Sequence, residues 1–165
     1  MKIKHLYTIP LLSLFLITPT AYAVFSWPIV FNHPVSVKNR ESFRAIAIHP
    51  AHPEKIFLAS GSALFARAAH DKASLKRIWQ TPRSSLINHI AVFPELSNQI
   101  FILTESGLFE GNLTASRFRQ VFQGRSNLEN SVLSMTVLPE DPNHWFLGTR
   151  SGLLESDNAG STWHR

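Results

Sequence analysis

Two glutamates, Glu105 and Glu155, adjoin predicted strands and are the residues whose chemistry would be catalytic if either had a carboxylate partner. Two carboxyl groups on opposite sides of a glycosidic bond supply the acid and the base or nucleophile of glycoside hydrolysis. Six other acidic residues fall in predicted turns, where they favour turn formation and solubility: Asp71, Asp141, Asp157, Glu54, Glu95 and Glu140. The sequence therefore pairs neither glutamate with a second carboxylate.

Two histidines, His49 and His52, are spaced closely enough for two imidazoles to share a metal ion. An internal repeat argues against such a site, because His49 aligns with Phe93 and Leu138 at a predicted strand end, and His52 falls in a turn. We expect no metal site and no cofactor.

The repeat has a period of about 44 to 45 residues and is aligned on three prolines, Pro50, Pro94 and Pro139. An apolar triplet precedes each proline, a second follows it by six to eight residues, and a Ser-(Ala/Gly)-Leu segment comes at a constant offset beyond. Such self-similarity means that each unit buries its apolar face on a copy of itself.

The short apolar runs of each repeat, separated by turn residues, predict four antiparallel strands. The predicted first strands are 44–48, 89–92 and 133–138; the second are 55–59, 99–104 and 144–149; the third begin at Leu64, Leu108 and Leu153 after turns centred on Ala63, Gly107 and Gly152; the fourth are 75–79, 118–122 and 162–164. Four strands in a unit of this length favour an all-β fold, a β-propeller of about three four-stranded blades.

The last repeat contains Ser156-Asp157-Asn158-Ala159-Gly160-Ser161-Thr162-Trp163. This segment resembles the Asp-box, or BNR repeat, whose pattern is Ser-x-Asp-x-Gly-x-Thr-Trp. Five positions match or nearly match it and are the predicted structural site residues: Ser156, Asn158, Gly160, Thr162 and Trp163. Asn158 stands where the family usually has Asp, but it keeps an acceptor oxygen for turn N–H groups.

The resemblance implies a hairpin between the third and fourth strands of a blade, with the Trp packed back onto that blade. Families built from such repeats include sialidases, xyloglucan-cleaving glycosidases, sortilin-type receptors and photosystem II assembly factors with their bacterial relatives. The sialidase mechanism needs a tyrosine nucleophile, yet Tyr7 and Tyr22 both lie in the predicted export signal.

The N-terminus has the layout of a secretory signal peptide: Lys2 and Lys4, an apolar stretch from Leu6 to Ile17, and Ala21-Tyr22-Ala23. We expect cleavage near Ala23 and a periplasmic or secreted product spanning residues 24–165. The apolar stretch is short for a bilayer span and contains a proline, so no stable membrane anchor is predicted. The chain has no cysteine, which excludes disulfides and thiolate metal sites.

Removing the two lysines of the signal leaves 14 basic against 11 acidic residues, a net charge of +3. The basic residues gather at 72–83 and 117–125, where they form either a solvated face or a contact with an anionic surface or acidic partner. No recognition-helix pattern is present, so nucleic acid is not an expected partner.

The mature chain divides into repeats at about 42–82, 86–125 and 131–165, whereas propellers close with about four to eight blades. Two explanations remain open: the sequence is the N-terminal portion of a longer propeller, or identical chains associate to complete the ring.

The function that these observations favour is an exported, non-enzymatic propeller that binds proteins or acts as an assembly scaffold, as its similarity to the photosystem II assembly-factor propellers implies. The alternative is part of an Asp-box glycoside hydrolase or a carbohydrate-binding propeller.

Overall fold

A computed structural model of the chain describes residues 42–70, 75–113 and 117–165. The predicted signal peptide and the apolar segment 24–41 lie outside these residues. The strands are β1 Ala45–His49, β2 His52–Ser60, β3 Ala63–Ala68, β4 Lys76–Gln80, β5 Ile87–Ala91, β6 Gln99–Thr104, β7 Gly107–Asn112, β8 Phe118–Phe122, β9 Val132–Leu138, β10 Asp141–Thr149 and β11 Gly152–Ser156. Two short 3₁₀ turns, Pro82–Ser84 and Pro94–Leu96, and one four-residue helix, α1 (Asn127–Asn130), lie between them.

The strands form three antiparallel sheets in which each strand pairs with its neighbours in sequence. Blade 1 contains β1–β4, blade 2 contains β5–β8, and blade 3 contains β9–β11. The predicted all-β architecture of three propeller blades is confirmed.

The predicted fourth strand of blade 3, 162–164, is reduced to one isolated bridge between Glu155 and His164. Two backbone hydrogen bonds of 2.9 and 2.8 Å form this bridge. The pairing is this short because the backbone N–H of Thr162 is hydrogen-bonded within the preceding loop instead.

Two of the second strands begin earlier than predicted. β2 starts at His52 and β10 at Asp141, so only two residues separate each from its first strand, and an irregularity in the strand register follows. In blade 2 the predicted polar turn is present and contains the 3₁₀ turn Pro94–Leu96.

All three third strands begin one residue earlier than predicted, and in blades 2 and 3 a threonine side chain closes the preceding turn. Thr104 Oγ1 accepts the N–H of Ser106 at 3.0 Å and donates to the carbonyl of Gly107 at 2.8 Å. Thr149 makes the same pair of bonds with Ser151 and Gly152, at 3.1 and 2.9 Å. Each turn therefore precedes its glycine, which is the first residue of the new strand.

Two apolar clusters hold the blades together, and blade 2 contributes one face to each. The first cluster joins blade 1 (Ala45, Phe57, Ala59, Leu64) to blade 2 (Ile87, Ile90, Ile100, Ile102, Phe109). The second joins blade 2 (Ala91, Phe101, Leu103, Leu108, Phe122) to blade 3 (Val132, Val137, Trp145, Leu147, Leu154). We call the face that packs on the next blade the forward face, and the opposite face the rear face.

Gly107 and Gly152 have nearly the same backbone conformation, with φ of +126° and +123°, but different surroundings. A Cβ on Gly107 would overlap the carbonyl oxygen of Phe122 in β8, whereas a Cβ on Gly152 meets nothing within 4 Å. We expect Gly152→Ala to cost about 1–3 kcal/mol through backbone strain alone. Gly107→Ala should cost a further 1–3 kcal/mol or so, because β8 must move.

Urea unfolding of the two variants checks this difference. Equal losses of unfolding free energy would show that the pairing of β7 with β8 is less rigid than the structure indicates.

Candidate functional site

The loop between β11 and His164 is organised around the hydroxyl of Ser156, which is fully buried. Ser156 Oγ accepts the N–H of Gly160 at 2.9 Å and donates to Asn158 Oδ1 at 3.0 Å. Gly160, with φ of +79°, lies so close to Trp145 that an added Cβ would be 2.8 Å from the indole. Only glycine fits this point of the loop.

Asn158 spans the same loop with both ends of its amide. Its Oδ1 accepts the N–H of Thr162 at 2.8 Å, and its Nδ2 donates to Thr162 Oγ1 at 2.7 Å. The structure thus brings four of the five predicted residues into one hydrogen-bonded loop.

The fifth, Trp163, points into the boundary between blades 2 and 3. Its ring lies edge-on to Phe122 of β8, with centroids 5.5 Å apart, and 6.4 Å from the ring of Trp145. The indole nitrogen of Trp163 is buried and has no hydrogen-bond partner in the described chain. The loop therefore contacts the neighbouring blade as well as its own.

Beside Trp163 the structure forms a half-open cleft of about 500 Å³ between the outer parts of blades 2 and 3. Its apolar side includes Phe122, Leu154 and Trp163, and its polar side includes Arg125, Glu129 and Arg165.

Glu129 is the buried charge of this cleft, with 7% of its surface exposed. Its carboxylate accepts the backbone N–H of Arg125 and lies 3.3 Å from the guanidinium of Arg165. The hydrogen bond from Arg125 and the Arg165 charge hold the pKa of Glu129 below its usual value, and the desolvation of the carboxylate only partly offsets them. Arg125 itself is exposed, and its side chain has no hydrogen-bond or ion-pair partner among the residues that the structure describes.

Glu129 lies in the linker between the second and third repeats and was not predicted as a site residue, whereas Arg125 was noted only as the last member of the basic group at 117–125. One signal was present: Ser126 and Glu129 have the spacing of a helix capping box. Ser126 Oγ does accept the N–H of Glu129 at 3.2 Å and caps α1.

The two glutamates with catalytic potential each have a basic partner on a different element. Glu105, in the turn after β6, lies 3.7 Å from Arg150 in the equivalent turn of blade 3. Glu155, on β11, lies 2.6 Å from His144 Nε2 on β10. Within 42–70, 75–113 and 117–165, neither carboxylate is paired with a second one.

His49 and His52 lie close together, with ring centroids 5.7 Å apart, but they differ in environment. His49 is fully buried, and its Nδ1 accepts the N–H of Ala51 at 3.1 Å. His52 is partly exposed and pairs with Glu54. Within 42–70, 75–113 and 117–165, no three His, Asp or Glu side chains form a group able to hold a metal ion.

No protein-family model matches the chain, and no curated protein matches it. Solved structures do. The chain is similar to an ancestral GH74 enzyme, with a TM-score of 0.60 and 22% identity over 74% of this chain and 18% of that one. It is similar to YCF48 from Cyanidioschyzon merolae, with a TM-score of 0.57 and 17% identity over 75% of this chain and 40% of that one. YCF48 bound to D1 peptide gives 0.56 and 17%, over 75% and 39%.

The chain spans less than half of the length of each of these proteins. At these identities the likeness shows the fold, which is that of β-propeller blades. The described part of the chain has no helix long and apolar enough to cross a membrane.

Substitutions at Asn158 and Trp163 test the loop. Asn158→Asp should be nearly neutral or mildly stabilising, because both oxygens can accept from Thr162. Asn158→Ala, the matched control, should cost about 1 kcal/mol. Trp163→Ala should cost about 3 kcal/mol, the lower part of the range for a large aromatic, since the ring is only partly buried. Chemical denaturation measures all three, and an Asp variant as unstable as the Ala variant would show that the loop needs the amide N–H.

His49 gives the fold a pH dependence. Burial, followed by the neighbouring His52, lowers the pKa of His49 below its ordinary value of 6.5. Below that value the unfolded chain therefore binds more protons than the folded one. The contribution of His49 to the free energy of unfolding is complete above about pH 6.5 and is lost as the pH falls. We expect His49→Leu to flatten the stability curve between about pH 7 and pH 5.

His89→Gln, at an exposed histidine, is the control for removing an imidazole from the surface. An unchanged slope in His49→Leu would mean that another group titrates in this range.

Proposed function

We propose that the chain is an exported, non-enzymatic propeller that binds a protein partner at the cleft between blades 2 and 3. The observation that supports this most directly is the cleft itself: a half-open space with an apolar aromatic side and a charged rim. Protein interfaces favour this combination, in which aromatic rings provide contact area and rim charges select the partner.

The charges at the cleft favour a partner segment that is acidic. The carboxylate of Glu129 is already bound by Arg125 N–H and Arg165, which leaves the side chain of Arg125 and the exposed His164 at the rim. An acidic segment would meet the positive charge of Arg125 beside the aromatic rings of Phe122 and Trp163.

In this proposal the loop 156–163 is a structural Asp-box. Hydrogen bonds join the loop residues Ser156, Asn158, Gly160 and Thr162. Trp163 packs the loop against Phe122 of blade 2. These residues shape one side of the cleft and bind no ligand themselves. Among the similar structures, YCF48 bound to D1 peptide shows that a related fold holds a polypeptide.

Export is part of the proposal and is supported by the signal-peptide layout of residues 1–23. The second candidate is a fragment of a glycoside hydrolase, favoured by the likeness to the GH74 enzyme. The ion pairs of Glu105 and Glu155 weigh against it, because each carboxylate is already engaged by a basic group.

The test is quantitative capture of proteins from the exported fraction of the native host. We expect an acidic protein to be retained by the wild-type chain and reduced about tenfold by Arg125→Glu, which reverses one rim charge. The matched control is Arg117→Glu, since Arg117 is equally exposed and lies outside the cleft. Retention unaffected by Arg125→Glu would contradict this location.

A parallel assay on xyloglucan and aryl glycosides decides between the two functions. If the protein hydrolyses one of these substrates and Glu105→Gln or Glu155→Gln abolishes that activity, the protein is a glycoside hydrolase and the binding proposal is wrong.

A further inference from the structure

The two interfaces inside the chain use the same repeat positions. In both, the forward face contributes three residues at corresponding repeat positions. These are Phe57, Ala59 and Leu64 in blade 1, and Phe101, Leu103 and Leu108 in blade 2. The rear face that receives them comprises Ile100, Ile102 and Phe109 in blade 2, and Trp145, Leu147 and Leu154 in blade 3. All of these residues are buried.

The rear face of blade 1 has the same chemistry and no blade against it in the described residues. Its repeat equivalents are Phe65, which is 9% exposed, and the partly buried Ile56 and Leu58. The adjoining β1 adds Ile46 and Ile48, which are 63% and 51% exposed. The residue equivalent to Ile46 in blade 2, Ile90, is 2% exposed. The structure thus shows what covers such a face, namely the forward face of a neighbouring blade.

One forward face is also uncovered in the described residues, on blade 3. The residues of blade 3 at the corresponding repeat positions are Phe146, Gly148 and Leu153. Leu153 is 61% exposed. Phe146 is directly paired with Glu155, and Gly148 with Leu153, so all four share this face.

Charged side chains lie on both uncovered faces. Cross-strand pairing places Arg67 beside Ile56 and Arg77 beside Phe65, on the rear face of blade 1. The Nε of Arg67 is buried without a hydrogen-bond partner in the described part of the chain. On blade 3, Glu155 is 49% exposed and pairs with His144, whose ring stacks on Phe146.

We propose that a second copy of this chain packs head to tail on the first, with the forward face of blade 3 in each copy against the rear face of blade 1 in the other. The contact continues the packing already present between blades 1 and 2 and between blades 2 and 3. The described blades of two copies together number six, within the range of about four to eight in which propellers close. The partner is thus identified by the repeat, independently of what the cleft binds.

Charge substitutions on the two faces test this arrangement in the purified full chain, processed as the cell processes it. Sedimentation equilibrium should give the mass of two chains for the wild type. Ile46→Lys and Leu153→Glu should each weaken association at least about tenfold, because each buries an unpaired charge in both interfaces. Both residues are exposed in one chain, so circular dichroism should be unchanged.

Mixing the two variants distinguishes head-to-tail packing from other dimers. The mixed dimer has one unmodified interface, and its other interface pairs the introduced lysine with the introduced glutamate, so association should recover. Leu128→Glu, an exposed leucine of α1 on neither face, is the matched control and should associate like the wild type.

Three results would overturn the proposal: a wild type that stays monomeric, a dimer that tolerates Leu153→Glu, or no recovery on mixing. A monomer destabilised by Ile46→Lys would indicate instead that another segment of the same chain covers blade 1.

Discussion

The burial of two apolar faces on every sheet is the constraint from which most of this structure follows. A sheet with one covered face still exposes the other to water, so stacking must continue from blade to blade. Blade 2 shows the satisfied state: Phe101 and Ile102 are adjacent in β6, point to opposite faces, and are both fully buried. A strand that is covered on both faces appears in the sequence as an uninterrupted apolar run, because neither of its sides contacts solvent.

The repeat was sufficient to predict the strands, since all three copies place apolar runs at the same offsets and the packing between blades demands it. Some of the predicted strand boundaries are wrong because local hydrogen bonds decide where the strand begins or ends. The hydroxyls of Thr104 and Thr149 close their turns before the glycine, and the loop held by Asn158 shortens the last strand. Patterns of apolar residues contain no information on such side-chain to backbone bonds.

The candidate site was only half predictable for the same reason. Resemblance to the Asp-box located the loop 156–163, and the repeat fixed which blade it belongs to. The cleft depends on Glu129 in the linker between the second and third repeats, on Arg125 at the end of the second repeat, and on a contact between Trp163 and Phe122, 41 positions apart. Neither the linker's path nor a contact between blades follows from periodicity.

The strictly sequential pairing of the strands has a consequence for how the chain reaches its native state. Every ladder joins consecutive segments, so sheets can form from short-range contacts, which fold quickly. During synthesis or export, blade 2 can join blade 1 while its other face, including Phe101 and Leu108, still lacks Trp145 and Leu147. During that interval the open apolar face of blade 2 is prone to aggregate, until β10 packs against it.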